Sequence, residues 1–245
     1  RCPYGVNLVV HRSNPSLRAV LEEVVRHRVP LVSPRWARSR MWGMRCVPMA
    51  GWCSMMSSAA AMRKRPWRRG WTGSSPRRQG PGTCGPDQPL ALVSEIRPLF
   101  DGSIALSGAM STSAHIAAAR AMGADLAYLG TRFLTTREAM VSLAQKEMTV
   151  AARAADILYT PAISGVGANF LAQSVVAAGM DPANLQSRGE LDMDNEAKVW
   201  RDVWPAGHGV SSLDVIPAAA ELCDRLALQY SEAMTRLARD PFVGR

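Results

Sequence analysis

Two short strings hold the residue types best suited to chemistry, Ser107-Gly108-Ala109 and Gly130-Thr131. Each closes an apolar run that reads as a strand, Ser103-Ile104-Ala105-Leu106 and Asp125 to Leu129. The first leads straight into an Ala-rich helix over Ser111 to Met122, with Gly123 as its stop. Glycine lets backbone N–H groups come close to an anion, and a helix N-terminus adds a favourable dipole. Turns of this kind after the seventh and eighth strands are where α/β barrels commonly hold phosphate. Tight turns without a ligand would use the same glycines, and spacing alone leaves both readings open.

The other reactive side chains read as structural or solvated. His208 lies in a glycine-rich loop, and His115 follows the first turn by one helical turn and reads as a surface residue. His11 and His27 stand beside arginines at element ends, where water solvates them. Five cysteines, an odd number without regular spacing, make neither a disulfide framework nor a zinc site. Asp192, Asp194 and Glu196 read as a solvated acidic face, and no metal site is expected.

The elements that must position the two turns alternate in type. Gly5 to Val10 reads as a buried strand, and Ser13-Asn14-Pro15 supplies a helix start. Leu17, Val20, Leu21, Val24 and Val25 then recur at helical spacing, and Val29-Pro30-Leu31-Val32 opens another strand. That order predicts a parallel βαβ unit. Later stretches predict helices over Pro89 to Phe100, Arg137 to Tyr159, Asn169 to Ala178 and Pro217 to Leu237. The fold class is therefore α/β.

Residues 33–88 interrupt this grammar. They contain no Leu, Ile, Phe, Tyr or Glu, yet hold five of the seven Trp, six of the 13 Met and eleven Lys or Arg against the single acid Asp87. Outside them 18 basic and 19 acidic residues remain, so the net charge of +9 is a local property. A nucleic-acid surface could use Arg with interleaved Trp. The stretch has no amphipathic period, however, and reads as an unstructured basic segment with no specific nucleic-acid role. Four segments result: a strand–helix–strand fragment 1–32, the aberrant segment 33–88, a fragment 89–159 with the two turns, and a mostly helical segment 160–245. No run of about 18 apolar residues and no apolar leader is present, so a cytoplasmic protein away from membranes is expected.

The wording of the flanks resembles the nitronate monooxygenase family, 2-nitropropane dioxygenase-like flavoproteins. The matching text includes Pro3 to Leu8, Pro89 to Val93, Ile104 to Met110, Met122 to Asp125, Leu129 to Phe133, Gly167 to Leu171 and Trp200 to Val210. The resemblance implies a TIM-type (β/α)8 barrel binding FMN without a covalent bond. It places the FMN phosphate on Ser107, Gly108, Ala109, Gly130 and Thr131, and puts Asn7 near the flavin. It implies oxidation of small alkyl nitronates or nitroalkanes with O2, with a His as base. A related FMN-dependent enoyl-acyl-carrier-protein reductase shares these turns, and a non-catalytic basic remnant is the reading from another class.

The resemblance also marks what is absent. The His position falls near Cys84, where the text is Gly82-Thr83-Cys84-Gly85-Pro86, so no catalytic residue is assigned. Arg1 enters just before the family's third strand, and about four of eight strands are legible. Strands five and six should fall inside 33–88, where no strand-like run is legible. A shifted reading frame accounts for this. Joining the last base of each codon to the next two, Met55-Met56 forces Asp, Trp52-Cys53 forces Val, Met49-Ala50 forces Gly and Trp71-Thr72 forces Asp. Permitted third bases then spell the family's two strands and a helix, and the other shifted frame near Gly82 to Pro89 permits a Gly-His-Ala-Gly run. A half-barrel of this kind would expose sheet edges, so a poorly soluble, flavin-free and catalytically impaired product is expected.

Overall fold

The structure, a computed structural model, describes residues 5–9, 14–29, 31–35, 52–53, 55–56, 71–73, 93–94, 96–99, 104–163, 167–185 and 201–239. The β-branched run opened by glycine forms β1 (Gly5–Val9), and the amphipathic stretch forms α1 (Leu17–Arg26). Asn14 Oδ1 accepts the Ser16 N–H at 3.0 Å ahead of that helix, and Val24 is its buried residue. The chain returns as β2 (Leu31–Arg35), parallel to β1 with Gly5 opposite Leu31 and Val9 opposite Arg35. The expected βαβ unit is present.

Residues 33–88 depart from expectation. They contain β3 (Trp52–Cys53), β4 (Met55–Met56) and β5 (Trp71–Gly73), and β2 itself runs on to Arg35. β3 pairs with β2, β4 with β5, and β5 with β6 (Ile104–Ser107), all in parallel. β6 then pairs in parallel with β7 (Leu126–Tyr128). β3 and β4 are one residue apart, so the two sheets adjoin and the parallel strands follow one another in chain order. That is how a (β/α)8 barrel is laid down. The segment is therefore not strandless, and more than four strands are formed. A parallel ladder needs only backbone groups, so residues without a period of two can still join it.

The helix after β6 is α2 (Ser113–Ala121). Ile104 and Leu106 of β6 pack with Val93, Ile96, Ala119 and Ala124, all at most 3% exposed. Burying each Val, Ile or Leu side chain of this set contributes about 1.5–3 kcal/mol. The short α3 (Thr131–Leu134) follows β7.

The expected long helix over Arg137 to Tyr159 is divided. Only α4 (Leu143–Ala151) is helical, with Ser142 Oγ accepting the Gln145 N–H at its start. Ala152 is extended, a single 3-10 turn covers Ala154–Asp156, and β8 (Ile157–Thr160) follows. Asp156 Oδ2 accepts the Arg153 N–H at 2.7 Å, a local bond that competes with helix continuation. The expected helix Asn169 to Ala178 likewise begins as a strand. β9 (Ala168–Leu171) pairs antiparallel with β8, and α5 covers only Ala172–Ala177. Segment 160–245, expected to be mostly helical, also holds this strand. Phe170, fully buried with Ile163, Val175 and Val203, centres the core of this hairpin. The last helix, α6 (Ala219–Ala238), lies on α2, where Ser113 Oγ donates to Leu226 O at 2.9 Å.

Candidate phosphate-binding site

Beyond Ser107 the chain turns through two left-handed residues, Gly108 at φ 120° and Ala109 at φ 53°. Gly108 is a position where a side chain would be strained. Ala109 holds its conformation at a cost of roughly 1–3 kcal/mol, which surrounding contacts must offset. Thr112 caps α2, its side chain accepting the His115 N–H at 3.3 Å, while His115 Nδ1 accepts the Ser111 N–H at 3.1 Å. The N-cap side chain thus bonds to His115, while the His115 ring bonds the N–H of the residue before the N-cap. His115 is therefore half-buried and part of the turn, which corrects its reading as a surface residue.

The second turn is different in kind. Gly130 has φ −102°, which any residue adopts, and a Cβ there would meet nothing within 4 Å. Among the described residues, neither the backbone nor the packing requires glycine at this position. Thr131 begins α3, and its Oγ1 accepts the Gly207 N–H at 2.9 Å. Next to it, the Arg132 side chain is 3% exposed; its Nη1 donates to Val215 O at 3.3 Å, and its Nη2 forms an ion pair with Asp214 Oδ1 at 3.7 Å. Burial pulls the Arg132 pKa down, nearby Arg225 adds to this, and Asp214 opposes it.

A strap joins the two turns. It leaves β9 through backbone bonds from Leu171 N to Trp204 O and from Ala206 N to Asn169 O. It then forms a 3-10 stretch, His208–Ser212. Gly207 reaches Thr131 as described, and Gly209 sits on the first turn. A Cβ on Gly209 would lie 2.5 Å from Ser111 Oγ and 3.1 Å from the Ala109 carbonyl carbon. Ser111 Oγ is buried without a hydrogen-bond partner among the described residues. Such a group costs about 1–3 kcal/mol. His208 Nδ1 stands 3.5 Å from Asn169 Nδ2.

The structure therefore brings Ser107, Gly108 and Ala109 to the end of β6, and Gly130 and Thr131 to the end of its neighbour β7. Asn7 lies mid-β1, opposite Ser33, and its side chain is outside the described residues. Cys84, His11 and the acidic run at 192–196 are also outside them. His27 is exposed, 3.4 Å from Glu23. Among the described residues no cluster of His, Cys, Asp and Glu could hold a metal, and no helix is long and apolar enough to cross a membrane. The reading from residue types missed Ser111, Gly207 and Gly209. Its one available signal was the density of glycine in Pro205-Ala206-Gly207-His208-Gly209.

Parallel strands in chain order, with a glycine-bearing turn beyond the C-terminal end of both β6 and β7, define an α/β barrel. Residues 78–228, more than half of the chain, match the nitronate monooxygenase family, and the chain belongs to that family. It is an oxidoreductase by descent. Among solved structures, a nitroalkane oxidase from Streptomyces ansochromogenes is similar at TM-score 0.74 and 20% identity, covering 96% of this chain and 82% of that one. FabK from Thermotoga maritima is similar at 0.72 and 18%, covering 96% and 78%. The enoyl reductase domain of MlnA from the macrolactin biosynthesis cluster of Bacillus amyloliquefaciens is similar at 0.57 and 15%, covering 97% and 65%. At such identities the likeness is one of fold, and that fold is the TIM-type barrel. No curated protein matches the sequence.

Proposed function

We propose that this chain is built to bind FMN through its phosphate, and that its site belongs to FMN-dependent oxidation of small alkyl nritronates or nitroalkanes with O2. The observation that carries the reading is Gly130, a glycine that neither its φ nor the described residues around it demand. Close approach of a ligand explains it. The residues present fit the group. Ser107, Gly108 and Ala109 offer one backbone turn, Gly130 and Thr131 the other, and the buried Arg132 cation stands beside them. Asn7 at mid-β1 completes the proposed set. When bound, FMN supplies the electron-accepting chemistry; the protein's part is to hold and orient it.

The base is the missing part. Gly82-Thr83-Cys84-Gly85 stands where the family's His would be, and the shifted frame over 33–88 accounts for its loss. Turnover by this chain is therefore impaired. The short strands β3, β4 and β5 extend the parallel run from β2 to β6, which supports flavin binding over the flavin-free product expected from a half-barrel. Fluorescence titration with FMN tests the binding half of the proposal. Oxygen uptake with a propyl nitronate, compared with free FMN, tests the catalytic half.

A second reading, an FMN-dependent enoyl-acyl-carrier-protein reductase, is favoured by the comparable fold likeness to FabK, 0.72 against 0.74. Nicotinamide-dependent reduction of a 2-enoyl thioester, without nitronate oxidation, would establish it. Salt-sensitive DNA retention by a preparation that binds no flavin would favour a basic remnant instead.

A further inference from the structure

We infer that Gly207 and Gly209 are positioning residues for the phosphate site, acting from the strap on Thr131 and Ala109; the inference rests on the FMN reading above. A threonine hydroxyl has one hydrogen to give and can accept at the same time. Gly207 N–H occupies an acceptor position on Thr131 Oγ1 at 2.9 Å. The hydroxyl hydrogen is then directed away from the strap and left available to a ligand oxygen. The contact does not supply the phosphate bond; it orients the group that does.

Gly209 acts on the other turn by contact. Its Cα lies so close to Ala109 and Ser111 that a methyl group would sit 3.1 Å from a backbone carbon and 2.5 Å from Ser111 Oγ. Ala109 is left-handed at φ 53°, a conformation an alanine keeps only where its surroundings fix it. Packing of the strap against the Ala109 carbonyl is such a constraint. Ser111 Oγ is buried at this contact with no hydrogen-bond partner among the described residues, as expected where close packing is kept over a hydrogen bond. One strap thus sets the hydroxyl direction at one turn and the backbone conformation at the other.

The test uses the full chain and two ligands that differ only by the phosphate, FMN and riboflavin, titrated by flavin fluorescence. Thr131→Val and Gly209→Ala are each expected to weaken FMN by about tenfold or more, the worth of one hydrogen bond to a charged group. Riboflavin affinity should stay within about twofold of wild type, well below one such bond. Thr131→Ser, which keeps the hydroxyl, should retain most of the FMN preference. Adding Ser111→Ala to Gly209→Ala removes the nearer clash and should recover part of it. An unchanged ratio of the two affinities in Gly209→Ala and Thr131→Val, or equal loss of both ligands, overturns the positioning role while leaving FMN binding intact. Wild-type protein that prefers FMN no more than riboflavin overturns the phosphate reading itself, and the inference with it.

Discussion

Asp125 and Ile104 hold each other by a reciprocal pair of bonds: Asp125 Oδ2 accepts the Ile104 N–H at 2.7 Å, and the Asp125 N–H donates to Ile104 O at 2.8 Å. The pair fixes the start of β6 against the approach to β7, which are the strands that carry the two turns. Arg97 Nη2 adds a bond to the same carboxylate oxygen at 2.7 Å.

Removing that carboxylate should loosen the site from below. Asp125→Ala is expected to cost about 1–2 kcal/mol and to lower Tm by roughly 2–8 °C. The Ile104 N–H first, then Arg97, hold the Asp125 carboxyl below its ordinary value of 3.8, against an opposing effect of burial. A depressed folded pKa gives stability that is complete above the unfolded value and lost as pH falls through the folded one. Denaturation of wild type and Asp125→Asn should therefore differ at neutral pH and converge in acid below pH 3.8. A constant difference across that range would contradict the charge-dependent part.

Glu138 tests how α6 is started. Its Oε2 accepts the Ala219 N–H at 2.8 Å, and backbone N–H groups, its own included, hold its carboxyl below the ordinary value. No side chain of the helix's own N-cap, Ala218, does this work. Glu138→Ala should raise hydrogen–deuterium exchange at 219–222 while leaving exchange in α2 unchanged, as mass spectrometry of the peptides would read.

Phe170 bears the packing of the hairpin that launches the strap. It is fully buried against Ile163, Val175 and Val203. Phe170→Ala is expected to cost about 3–5 kcal/mol. Because Ala206 N bonds to Asn169 O next door, the loss should also release the strap. Chemical denaturation monitored by circular dichroism checks the first part, and protease sensitivity between 201 and 213 checks the second.

Turnover separates the frame from the fold. The chain as written is expected to consume O2 with a nitronate no faster than free FMN does. A gene restored in frame over 33–88 is expected to gain that activity while keeping the same preference for FMN over riboflavin. Equal activity in both would show that the His position is dispensable.

Legibility in the sequence followed the physics of each element. β6 and α2 are readable because Ile104 and Leu106 alternate and the Ala-rich stretch after them stops at Gly123. β3, β4 and β5 were hidden because Trp52, Met55 and Trp71 belong to a tract with neither alternation nor β-branched bounds, while parallel pairing draws only on the backbone. Residues 137–159 looked like one helix because Ala, Gln, Lys and Glu favour it throughout; the Arg153–Asp156 bond and the pairing of Ile157 with Leu171 are tertiary or turn-level choices that propensity does not encode. At the first turn the glycine signal matches a left-handed backbone, Gly108 at φ 120°, whereas Gly130 at φ −102° needs no glycine conformation. The buried Ser111 hydroxyl and the press of Gly209 on Ala109 need two segments about 100 residues apart brought together, and no window of sequence contains both.

β7 is the outermost strand of its sheet among the described residues, and its Leu126 and Tyr128 side chains are 60% and 55% exposed. A rim of that kind is adhesive, because a neighbouring molecule can continue the ladder and cover the oily side chains in one step. Stocks kept concentrated should turn turbid while dilute ones stay clear, and charged residues at 126 and 128 should suppress the clouding.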